Sequence, residues 1–121
     1  MNFDEAVRAH SDWKIRLREY LGKADRSLDP TLVEQDNRCA LGKWIQEDGV
    51  RFSKDPEFQA LRTEHARFHR AAADLVRRAD RSEKVSEATE LGAKSPFAEL
   101  SQEVVRLIMA MKRKSQSLAH K

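Results

Sequence analysis

The strongest constraint on this chain is a stripe of residues at steps of three and four: Phe58, Leu61, His65, Phe68, Ala72, Leu75 and Ala79. That spacing follows the 3.6-residue period of an α-helix and puts all seven side chains on one face. Asp55-Pro56-Glu57 stands just ahead of it, supplying an N-cap, a proline suited to the first helical position and an acid in the first turn. A long helix that is apolar on one side only must bury that side against other helices. His65 is a member of this stripe, and His69 lies one turn beyond it on an adjoining flank.

Two further segments repeat the pattern. Phe3, Val7, His10, Lys14 or Trp13, Leu17 and Leu21 predict a first helix over Phe3 to Ala24, with His10 inside the apolar stripe. Ser27 to Pro30 ends it, with Asp29-Pro30 as a turn signal. A short helix is expected from about Gln35 to Asp48, closed by Gly49 as C-terminal cap. The last helix is expected to begin near Ser82 or Lys84 and to bend at Ser95-Pro96, with Phe97, Leu100, Val104, Leu107, Ile108 and Met111 on its buried face. The expected fold class is all-α, an antiparallel four-helix bundle forming one domain over residues 1–121. Only four glycines and three prolines occur, too few for a turn-rich all-β chain.

Composition removes several function classes. The net charge is +3, from 23 basic and 20 acidic residues, which describes a mixed surface. The densest basic cluster, Lys112-Arg113-Lys114, suits a helix C-terminus and would neutralise few phosphates, so no nucleic-acid partner is expected. No apolar run approaches the roughly 20 residues that span a bilayer, so no membrane partner is expected either. The one cysteine cannot form an internal disulfide, and Met1-Asn2-Phe3-Asp4-Glu5 lacks the features of a signal peptide. A reducing cytoplasm is the expected compartment.

The single cysteine and three of the four histidines form a pattern of their own. A histidine on an apolar helix face is usually a core residue with one nitrogen satisfied, and a free cysteine often only fills space. His65 and His69, however, are four apart, which places two imidazoles on one helical face within reach of a common ion. His10 and Cys39 come from two other predicted helices on the core side. Buried without a partner, each polar group would cost about 1–3 kcal/mol. Three imidazoles and one thiolate complete a tetrahedral zinc shell and suit zinc better than magnesium or calcium. Metalloprotease chemistry is excluded, because Ala66 stands where a glutamate base would be. Four protein ligands leave no open position, and no acid–base pair, phosphate loop or nucleophile motif is present, so no enzyme is expected. A di-iron bundle and a purely structural or adaptor bundle are the alternatives.

Taken together, the motifs resemble the chemoreceptor zinc-binding (CZB) family. The match reads His10-x-x-Trp13, then 25 residues, Cys39-x-Leu41-Gly42-x-Trp44, then 20 residues, His65-x-x-x-His69. The resemblance implies a four-helix bundle, commonly homodimeric, that holds zinc by His10, Cys39, His65 and His69. It also implies a sensor of zinc or of an oxidant such as hypochlorous acid, attached to chemoreceptors or diguanylate cyclases or standing alone. This chain begins with Met and carries no output domain, so it reads as a free-standing member or an excised domain. Gly42 is expected where the short helix comes close to a neighbour, and Trp13 and Trp44 are expected to wall the site. Asp36 or Asp12 is expected to hydrogen-bond a ligating imidazole, with Asp36 alternatively capping the short helix. Val104 and Val105 beside Leu107 and Ile108 suggest apolar surface left over for a second copy, and His120 is expected to stand apart from the site.

Overall fold

The computed structural model describes residues 1–23 and 25–119, with the backbone alone at 87, 88, 118 and 119. Ala24 and His120 lie outside the described residues. The regular structure among the described residues is entirely helical: α1 (Phe3–Lys23), α2 (Pro30–Glu34), α3 (Ala40–Gln46), a 3-10 turn (Asp48–Phe52), α4 (Pro56–Asp80), α5 (Glu87–Leu91) and α6 (Pro96–Ala119). The all-α class holds.

Contacts at the two ends fix the directions of the long helices. Tyr20 near the end of α1 hydrogen-bonds Asp80 at the end of α4. At the other end, Phe3 packs on Trp44, which packs on Phe58 at the start of α4. Helices α1 and α4 therefore run the same way. Lys112 and Lys114 of α6 meet Asp4 and Asp55, so α6 runs against both. These are the directions of the first, third and fourth helices in an up-down-up-down order, while the place of the single second helix expected over residues 35–48 is taken by the two short helices α2 and α3.

The buried faces match their periodicity. All seven residues of the α4 stripe are buried, as are Phe97, Val104, Leu107, Ile108 and Met111 of α6, with Leu100 packed at the edge. Val104, Leu107 and Ile108 are interior, so of the four residues expected to offer apolar surface to a second copy only the half-buried Val105 has any.

Asp-Pro pairs begin helices twice. Asp55 accepts hydrogen bonds from the backbone of Glu57 and Phe58, ahead of Pro56 in the first turn of α4. Asp29 does the same for Thr31 ahead of Pro30, so the expected turn there is the start of α2. Ser95 Oγ accepts from the Ala98 amide, and Pro96 opens α6, so the expected bend is a break between α5 and α6. The short helix expected over residues 35–48 is Ala40–Gln46, and its N-cap is Cys39, not Asp36. Gly49 is no helix cap: it sits in the 3-10 turn, where a Cβ would lie 2.8 Å from the Trp44 carbonyl oxygen and 2.9 Å from Phe58.

Candidate metal centre

The long helices supply the imidazoles. His10 projects from the middle of α1, and His65 and His69 from successive turns of α4. Because α1 and α4 are parallel neighbours, the His10 ring lies 5.1 Å from His65 and 6.0 Å from His69, centroid to centroid. All three rings are buried, none more than 3% exposed.

The cysteine arrives by a separate route. Chain from Asp36 to Cys39 turns tightly into α3, and Cys39 Sγ accepts the Gly42 amide at 3.4 Å. A Cβ at Gly42 would sit 1.8 Å from the Asp36 carbonyl oxygen, so only glycine lets the turn close. The close neighbour expected at Gly42 is therefore the chain's own preceding turn. Lys43 is exposed, and backbone amides, not its ammonium, face the sulfur.

The four donor atoms gather. Cys39 Sγ lies 3.3 Å from His65 Nε2 and 3.9 Å from His69 Nε2, and the two Nε2 atoms are 3.0 Å apart. One ligand atom from each of His10, Cys39, His65 and His69 falls within 4.8 Å of all the others. A tetrahedral zinc with bonds of about 2.0–2.1 Å to nitrogen and 2.3 Å to sulfur separates its ligands by about 3.3–3.6 Å, a scale that the 3.0–3.9 Å separations among Cys39, His65 and His69 bracket.

Protonation follows from the partners. His10 Nδ1 is 2.8 Å from the Ala6 carbonyl oxygen, and His69 Nδ1 is 2.8 Å from that of Val33. A carbonyl can only accept, so both Nδ1 atoms carry the hydrogen and both Nε2 atoms present a lone pair to the cluster. His10 Nε2 is buried with no hydrogen-bond partner. An orphaned acceptor beside a thiol and two more imidazoles is costly alone and is satisfied by a soft or borderline cation.

Electrostatics point the same way. Burial holds His65 down to about 2, with repulsion from His69 and then His10 adding to it. Burial also lowers His10 and His69, each partly opposed by its carbonyl hydrogen bond. The imidazoles are therefore neutral, as ligation requires. Burial raises the Cys39 thiol, while the amides of Gly42 and Leu41 pull the other way. A bound dication would supply what the sulfur lacks to become a thiolate.

The surroundings adjust the sequence reading. Trp13 abuts His69, with ring centroids 6.3 Å apart, as expected of a wall. Trp44 packs instead with Phe3, Phe52 and Phe58 beneath the site. Phe68 is the other wall, 5.3 Å from His10 and 5.7 Å from His69, and its place in the α4 stripe disclosed only that it is core. The partners expected from Asp36 or Asp12 are the backbone carbonyls of Val33 and Ala6. Ala6 lies four residues before His10, a spacing at which a helical carbonyl is within reach, whereas Val33 had no local signal.

A helical protein with this donor set belongs to the class of small α-helical zinc-binding proteins. A family model described as the chemoreceptor zinc-binding domain matches residues 10–76, more than half of the 121 residues. The chain belongs to that family. No curated protein and no solved structure matches it.

Proposed function

We propose that His10, Cys39, His65 and His69 hold one zinc ion, and that the domain is a non-enzymatic sensory or regulatory module whose output follows the state of that site. The carrying observation is the asymmetry of the ligands. Three are interior imidazoles on long helices, whereas Cys39 is half-buried and caps a seven-residue helix. Zinc when bound would tie α1, α4 and the Cys39 turn together, so its loss frees the turn first.

Two signals fit this design, zinc availability and oxidation of Cys39 by an oxidant such as hypochlorous acid. An oxidant can enter reversibly only at the sulfur, since imidazole has no comparable reversible step. The domain would work as a homodimer in the cytoplasm, read by a chemoreceptor or diguanylate cyclase partner; family membership supports this part of the reading. No helix among the described residues is long and apolar enough to cross a membrane.

Metal analysis of untagged protein tests the site, with one zinc per chain expected. Hydrogen exchange tests the switch. Protection of residues 36–48 should fall on oxidation and in Cys39→Ala, while α1 and α4 stay protected. Unchanged protection in both would overturn the switch and leave Cys39 a structural ligand.

A further inference from the structure

A cleft of 590 Å³ separates α1 from the segment carrying α2, and Cys39 and His69 close its inner end. That volume lies in the range of small-molecule sites. Trp13 forms one wall, and Leu28, Leu32 and Val33 line the other side. Leu32 remains 45% exposed, an aliphatic surface the fold itself leaves wet.

Two cations line the same cleft. Arg16 stacks its guanidinium 4.0 Å over the Trp13 ring, and Arg38 precedes Cys39 in the chain. Among the described residues neither is in an ion pair, whereas Arg67, Arg77, Arg78, Arg81 and Arg106 all are. The cleft also has two carboxylates, Asp12 and Asp29. Asp29 accepts the Thr31 amide at 2.9 Å as the cap of α2, and among the described residues neither carboxylate forms an ion pair with the two arginines. An apolar trough with two guanidiniums that no ion pair engages suits one negative group on an apolar body.

We propose that this cleft binds a small monocarboxylate with an aromatic or branched aliphatic body. Arg16 and Arg38 take the carboxylate, while Trp13 and Leu32 enclose the apolar part. The occupant would cover the Cys39 edge, where the least buried ligand meets the cleft. This goes beyond the sensory reading and holds whichever signal the zinc answers.

Phenylacetate titrated into zinc-loaded protein is the test, followed by tryptophan fluorescence and confirmed by calorimetry, with zinc content measured alongside. Saturable binding is expected with a Kd of roughly 0.1–5 mM, reasonable for so small a ligand. Phenylacetamide has the same shape without the charge and should bind about tenfold more weakly or worse. Arg16→Ala and Arg38→Ala should each weaken phenylacetate about tenfold at unchanged zinc content, and Asp12→Asn should tighten it severalfold. Absence of saturation, equal affinity for acid and amide, or an Arg16→Ala/Arg38→Ala double variant that binds like wild type would each overturn the proposal.

Discussion

The three histidines and the cysteine reach one point from regions built very differently. His10, His65 and His69 are fixed by helices of 21 and 25 residues, whose backbone ladders and buried stripes hold them with or without a metal. Cys39 depends on a tight turn, the glycine at position 42 and the few buried residues of its segment, chiefly Val33, Leu41, Trp44 and Ile45. Segments with little buried apolar surface open at lower free energy than core helices. One site therefore has a rigid wall and a lightly held one, and only the second can respond without the fold giving way.

The largest expected effect falls on the rigid wall. Phe68 is fully buried between His10, His69 and Phe97, so Phe68→Ala should cost about 3–5 kcal/mol of global stability by denaturant unfolding. A cost below about 1 kcal/mol would mean that this wall is not what holds the imidazoles. Acid should act on the same wall. In metal-free protein the folded imidazoles sit below their ordinary value of 6.5, so the unfolded chain takes up protons first. Stability is complete above 6.5 and is lost as pH falls below it, by up to about 1.4 kcal/mol per pH unit for each histidine. The Cys39 thiol, raised above 9.0, adds stability that is lost as pH rises past that value. Melting temperatures of chelator-treated protein from pH 5 to 10 should trace a plateau between these limits, and a flat profile would contradict the buried neutral cluster.

The lightly held wall is probed by Gly42→Ala, whose Cβ would collide with the Asp36 carbonyl. Zinc affinity should fall about 10–100-fold while helix content by circular dichroism stays near wild type. Unchanged affinity would show that the turn is less demanding than its geometry indicates. Smaller again is Asp55→Ala, which removes the cap of α4 and its contact with Lys114 and should cost about 1 kcal/mol with zinc affinity unaltered. The smallest effect is expected at Gly22, where a Cβ meets nothing within 4 Å. Gly22→Ala should raise stability by about 0.5–1 kcal/mol, and a loss there would place a constraint on the end of α1 that its geometry does not show.

Much of the site was legible because its signals are local. His65 and His69 share a face by spacing alone, and His10 falls inside a stripe of its own. The Asp55-Pro56-Glu57 start of α4 needed no tertiary information. The same chemistry at Asp29-Pro30 was read as a turn because only five helical residues follow, too few to show a period. With α2 unread, the Val33 carbonyl that orients His69 could not be foreseen, nor could the cleft that α2 walls. Trp44 was assigned to the site on motif proximity to Cys39, but helix α3 turns it toward Phe3, Phe52 and Phe58.

By itself the sequence determined the helical class, the faces of the long helices and the four donor residues, since each follows from spacing along one chain segment and from the chemistry of imidazole and thiol. The helix α2, the tautomers of His10 and His69 and the half-exposure of Cys39 were decided only by the tertiary structure. Those depend on which segments meet, and a periodic stripe records that a face is buried without recording what buries it.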